Sequence, residues 1–152
     1  MAKYPELTEL LNLSNVHVIH YQMVGPTRIN LFIEPTVEVA VCPDCGKPST
    51  DIHDRGEPQM IRDLPMWERR CWLRYSPRRF KCNTCGDTFV ERVSWRESGR
   101  DYTVRYERHI YKLSKREPIS QVAKDEGLSE DIVQGIFEQW AKKRSKPVAT
   151  HS

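Results

Sequence analysis

The sequence predicts an α+β protein, a small β-rich four-cysteine zinc ribbon followed by an all-α helix-turn-helix domain. Three observations predict it. Four of the five cysteines lie in two CxxC turns, Cys42-Pro43-Asp44-Cys45-Gly46 and Cys82-Asn83-Thr84-Cys85-Gly86. Apolar residues alternate with period 2 through the first half of the chain and recur near period 3.6 after about residue 100. Charge is also uneven: His53 to Arg116 holds 16 Lys and Arg against 9 Asp and Glu, while the rest holds 8 against 12. That basic middle points to a polyanion-binding surface.

Only 38% of the 152 residues are hydrophobic and 30% are charged, so the core is small and needs a staple. Bound metal supplies one, contributing on the order of 10–16 kcal/mol of folding free energy. No stretch approaches the roughly 18 apolar residues of a membrane span, and the N-terminus lacks a signal-peptide core. The expectation is a cytoplasmic, nucleoid-associated chain with no membrane partner, whose reduced thiols bind metal rather than form disulfides.

Residues 5–13 predict a short helix. Three β-like runs follow, Val16–Met23, Arg28–Glu34 and Val37–Val41, separated by turns at Gly25-Pro26-Thr27 and Glu34-Pro35-Thr36. Ile29, Leu31 and Ile33 alternate with Arg28, Asn30 and Phe32, and Val37, Val39 and Val41 with Glu38 and Ala40, so each trio is expected on a buried face. Residues 1–41 then read as a helix-and-strand lead-in and 42–98 as the ribbon.

Within the ribbon, 36 residues (46–81) separate the knuckles. This insert holds a strand in which Cys71, Leu73 and Tyr75 share one face and Arg70, Trp72 and Arg74 the other. Cys71, the odd cysteine, is expected in the apolar core. Arg78-Arg79-Phe80-Lys81 enters the second knuckle and Thr88–Val93 leaves it.

The helical domain spans 99–145. Thr103 is placed to cap a helix through about Arg116 with Tyr106, Ile110 and Leu113 on one face. Pro118 opens a second helix, Gly127-Leu128-Ser129 makes a turn, and Ser129 caps a third helix through about Arg144. Ala123, Gly127, Val133 and Ile136 stand where a helix-turn-helix needs a small crossing residue, a turn glycine and branched apolars. A tail, 146–152, contains nothing to order it.

Cys42, Cys45, Cys82 and Cys85 make a closed tetrahedral sulfur cage, the geometry of structural zinc. Iron in the same cage, as in a rubredoxin-like electron carrier, is the competing metal reading, and it leaves the helical domain and arginines without a use. Candidate nucleic-acid contacts form two basic clusters. The first is Arg69, Arg70, Arg74, Arg78, Arg79 and Lys81, interleaved with Trp72, Tyr75 and Phe80. The second is Arg105, Arg108, Lys112, Lys115 and Arg116 on the first long helix. Ser129 and Gln134 are the candidate base contacts, although Glu130 and Asp131 beside them repel phosphates. Gly135 inside the last helix costs about 1 kcal/mol relative to alanine. No catalytic constellation is visible: His17, His20 and the His53-Asp54 pair lack a nucleophile, and no phosphate loop or carboxylate cluster occurs.

Taken in order, five segments resemble the N-terminal part of bacterial transposases of the "ISL three" insertion-sequence family. They are Val41-Cys42-Pro43-Asp44-Cys45-Gly46, Ile52-His53-Asp54-Arg55, Arg62-Asp63-Leu64-Pro65, Arg78-Arg79-Phe80-Lys81-Cys82 and Thr88-Phe89-Val90-Glu91-Arg92. The helix-turn-helix follows where that family places one, and the resemblance runs from about residue 14 to 144. It implies recognition of terminal inverted repeats in double-stranded DNA, with strand transfer left to a further domain carrying an acidic triad. The chain ends before such a domain begins, so a non-enzymatic DNA binder is expected. An adaptor that docks on a transposase or other nucleic-acid enzyme is the alternative. Inverted repeats are often read by dimers, which leaves a homodimer open, although no heptad seam is visible.

Overall fold

Pro5 sits at the first turn of helix α1 (Pro5–Leu11), where its missing N–H costs nothing. The helix ends at Asn12, whose left-handed backbone (φ 53°) lets its N–H reach the Thr8 carbonyl. Among the described residues nine strands follow: β1 (Val16–Val24), β2 (Arg28–Pro35), β3 (Ala40–Val41), β4 (Pro48–Ser49), β5 (Ile52–Arg55), β6 (Gln59–Met66), β7 (Arg69–Tyr75), β8 (Arg78–Lys81) and β9 (Thr88–Val90). Helices α2 (Val104–Ser114), α3 (Ile119–Glu126) and α4 (Glu130–Ser145) come after them among the described residues. A computed structural model describes residues 3–145, and the expected tail at 146–152 lies outside them. The chain divides into two units between Thr103 and Val104.

In the first unit, β1 and β2 form one antiparallel hairpin and β6 and β7 another, and the two join by parallel pairing of β2 with β7. The resulting sheet has the order β1-β2-β7-β6. Residues 1–41 are therefore no lead-in to the ribbon. Their strands are half of a sheet whose other half comes from the segment between the knuckles. The alternating residues fix its faces: Ile29, Leu31, Ile33, Cys71, Leu73 and Tyr75 are buried with Val16, Val18, Ile61, Leu11 and Trp95. Cys71 is thus a core residue, as its strand parity predicts. Val18 N–H donates to Thr8 Oγ1 at 2.9 Å, which pins α1 to the sheet. Residues 101–103 run along the edge of β6, with Arg62 N–H bonded to the Asp101 carbonyl and Thr103 N–H to that of Arg62. Thr103 Oγ1 also donates to the buried Asp63 carboxylate at 2.8 Å.

The turn between β6 and β7 is a two-residue loop closed by the pair Met66 and Arg69. Its central residues, Trp67 (φ 47°) and Glu68 (φ 67°), are both left-handed. Such a turn matches the twist of the strands but normally takes Asn-Gly. A bulky residue there costs on the order of 1–3 kcal/mol.

Pairs β3–β4 and β5–β8–β9 carry the two knuckles. The expected strand over 37–41 is reduced to Ala40–Val41, and its burial is inverted. Val37, Val39 and Val41 are 40, 46 and 61% exposed, while Ala40 is buried. The reason is the knuckle: Ala40 packs with Cys42, Phe80, Cys82 and Phe89 in a separate small cluster, which the sheet core does not reach.

Among the described residues the second unit is three helices around Tyr106, Ile110, Tyr111, Val122, Ala123, Val133 and Ile136. Pro118 stands at the cap position of α3, one residue before the expected first turn. Gly127 (φ 69°) ends α3, with its N–H on the Ala123 and Lys124 carbonyls. Leu128 N–H also bonds to Ala123 O, so this is the Schellman ending that turns the chain into α4. Ser129 Oγ accepts the Ile132 N–H at 3.2 Å, capping α4 as expected.

Candidate metal centre and helix-turn-helix

The two knuckles are built alike. Cys42 N–H bonds to Lys47 O and Gly46 N–H to Cys42 O, and Cys82 N–H to Asp87 O and Gly86 N–H to Cys82 O. Gly46 and Gly86 take φ of 75° and 82°, which a side chain would strain. The turns bring the sulfurs of Cys42, Cys45, Cys82 and Cys85 within 4.8 Å of one another, with Cys45 and Cys82 at 3.5 Å. A tetrahedral zinc with Zn–S bonds of about 2.3 Å needs sulfurs roughly 3.8 Å apart, so the four thiols fit that ion. Their electrostatics also call for a cation. The Cys85 N–H aimed at Cys82 Sγ draws that thiol down to about 7. Contact with Cys45 and the other sulfurs pushes the Cys85 thiol up. Four thiolates at this spacing coexist only around a bound metal cation.

The basic residues of the first cluster part company. Arg78 is no ligand contact: it is buried and bound to Glu91 by its N–H, its Nε and its Nη2, the last at 2.7 Å. Nη2 also donates to the Val37 carbonyl, and Tyr75 Oη donates to Glu91 Oε2 at 2.9 Å. Burial, then the Glu91 charge, pushes the Tyr75 phenol up. Arg79 pairs with Asp54 at the surface, and this bond holds the Asp54 carboxyl below its ordinary range. Lys81 is exposed. Arg69 donates to the Gly25 carbonyl at 2.8 Å. Arg70 and Arg74 stand exposed on the outer face of the sheet with Trp72 between them.

Around Trp72 the structure adds two arginines that sequence reading missed, the half-buried Arg28 and the buried Arg62. Arg28 stacks 3.9 Å from the centre of the Trp72 ring, and Arg62 lies 5.1 Å from it. Arg28 was visible as an outward residue of β2. Its neighbour was not, because the β2–β7 pairing joins segments about 40 residues apart.

At 100° per residue, Arg105, Arg108, Lys112, Lys115 and Arg116 fall within one arc of α2 and its extension, opposite buried Tyr106, Glu107 and Ile110. Helix α2 ends at Ser114, so Lys115 and Arg116 follow it. Glu107, also missed, is 2% exposed and accepts the Trp140 indole N–H at 3.1 Å. Nothing local in the sequence distinguishes it from a surface acid.

The outward face of α4 carries Asp131, Gln134, Gly135, Glu138 and Lys142, all exposed. Gln134 Nε2 donates to Glu138 Oε2 at 2.8 Å, one helical turn on. A Cβ at Gly135 would meet no atom within 4 Å. Replacing Gly135 by alanine therefore stabilises the second unit by about 1 kcal/mol. Thermal unfolding checks this: a midpoint raised by a few degrees is expected, and a lowered one would contradict the open geometry.

Comparison with known proteins finds two matches in succession along the chain. Residues 38–85 match the family model described as zinc-finger of transposase IS204/IS1001/IS1096/IS1165. Residues 91–141 match the helix-turn-helix domain of transposase family ISL3. Over 67 residues, 44% of this chain, the sequence is 33% identical to the transposase for insertion sequence element IS1001 of Bordetella parapertussis. The match spans 16% of that relative's length. No solved structure matches. Residues 38–85 and 91–141 are thus similar, in order, to the zinc ribbon and the helix-turn-helix domain of ISL3-family transposases.

Proposed function

We propose that this chain binds double-stranded DNA in a sequence-specific, non-catalytic way, at the terminal inverted repeats of a mobile element or a site derived from them. The observation that carries the reading is the basic arc of Arg105, Arg108 and Lys112 on α2, continued by Lys115 and Arg116 just after it, in a segment that matches the helix-turn-helix model of a transposase family. Phosphate contacts from that arc fix the protein's register on the duplex, and residues 129–134 of the turn and α4 approach the bases. The sulfur cage supports a structural role for zinc, because four thiolates leave the ion no open position for a substrate. No step of chemistry is assigned to the chain.

Salt-dependent binding tests this. Lys112→Ala, an exposed position on the arc, is expected to weaken binding to specific and random duplexes alike. It flattens the log–log salt slope by about 0.9. An unchanged slope would take α2 off the DNA. Gln134→Ala is expected to act otherwise, lowering affinity for the preferred site and leaving random duplex unaffected. Weak, sequence-blind binding by the unaltered protein would favour the adaptor reading.

A further inference from the structure

The β6–β7 hairpin tip has no role in the metal centre or the helix-turn-helix. Trp67 there is 76% exposed, the most exposed large hydrophobic residue among those described. It also occupies a left-handed backbone position that suits asparagine or glycine, and Glu68 beside it does the same. An indole in water on a strained turn gains nothing from the fold. Its surroundings are cationic. Arg69 closes the turn, Arg70 follows it, and Arg28 pairs across the sheet with Arg70. Glu68 is the one acid of the turn. The tip is also held firmly: Arg69 Nη1 donates to the Gly25 carbonyl and Arg70 N–H to the Thr27 carbonyl, so both hairpin ends are tied together.

We infer that this tip is a second nucleic-acid contact, in which the Trp67 ring stacks on a nucleobase while the exposed Arg70, on the outer face of the sheet, meets a flanking phosphate. It rests on the DNA-binding reading above. An aromatic face flanked by arginines is the combination that holds bases without reading their sequence. The base is reached either in an unpaired stretch or by wedging between steps of a duplex, and the chemistry is the same.

The test uses the full, zinc-loaded chain with two probes, a duplex and the same duplex carrying a short unpaired thymine tract. The double substitution Trp67→Asn with Glu68→Gly gives the turn its preferred residues, so a higher unfolding midpoint is expected. Affinity is expected to fall, by roughly 5- to 150-fold if one stacked base is lost. Trp67→Phe is expected to retain most of the binding, and Trp67→Ala to lose it without a gain in stability. Loss confined to the thymine-tract probe identifies unpaired bases as the target. Loss on both probes identifies insertion into the duplex. A stabilised variant that binds both probes as tightly as the wild type overturns the inference. A wild type that binds neither overturns the DNA-binding reading itself.

Discussion

Cys82→Ser is expected to yield a protein that purifies without stoichiometric metal and has lost the knuckle cluster. A structural zinc contributes on the order of 10–16 kcal/mol, as much as the entire net stability of a typical domain. The cluster it organises is small: Ala40, Cys42, Phe80, Cys82 and Phe89 are its buried members. Such a cluster does not fold without the ion. The sheet core around Leu31, Leu73 and Tyr75 has its own apolar contacts, so its amides remain protected longer in hydrogen exchange than those of 40–49 and 80–90. Chelation of the wild type is expected to reproduce the pattern. Acidification acts in the same direction, since protons compete with the metal for sulfur. Zinc quantification together with hydrogen exchange decides the matter. Full metal content and unchanged protection in Cys82→Ser would dismantle the cage. A colourless holoprotein is expected, where iron in the same sulfurs would be red.

Glu91→Ala is expected to destabilise the first unit by about 3–5 kcal/mol, the cost of leaving a buried charge without its partner. Arg78 and Glu91 side chains are 6% and 5% exposed. Glu91 accepts from the Arg78 backbone, the Arg78 guanidinium and the Tyr75 hydroxyl. Removing it leaves the Arg78 N–H, the Arg78 Nε and the Tyr75 hydroxyl without this acceptor, and the guanidinium keeps the Val37 carbonyl through Nη2. Replacing both members by apolar residues of similar volume, Arg78→Met with Glu91→Leu, is expected to recover much of the loss. Chemical denaturation measures both variants. A Glu91→Ala protein within 1 kcal/mol of the wild type would mean that water reaches the pair.

What was legible in the sequence was local. The CxxC-Gly turns specify their own hydrogen bonds, so the metal ligands could be named from spacing alone. Parity along Ile29, Leu31, Ile33 and along Cys71, Leu73, Tyr75 gave the one buried face of the sheet in both strands. Ser129 and Gly127 announced the ends of α4 and α3 through capping chemistry that spans four residues. What stayed hidden depends on distant partners. The parallel pairing of β2 with β7 turns an apparent lead-in into half a sheet, and no residue in either strand encodes it. Arg78 reads as one more cation of a basic run until Glu91, thirteen residues on, is placed against it. Val37, Val39 and Val41 have the alternation of a buried strand, yet the neighbour they meet is a small knuckle that takes only Ala40. The strained turn at Trp67 and Glu68 carries no Asn-Gly signal, because its residues are the ones such a turn avoids.

Specific recognition of duplex DNA is tested most directly by incubating the zinc-loaded protein with fragmented genomic DNA at physiological salt and sequencing what it retains. Enrichment of one motif, concentrated at the ends of mobile elements, is the predicted result. Uniform recovery across the genome would contradict it.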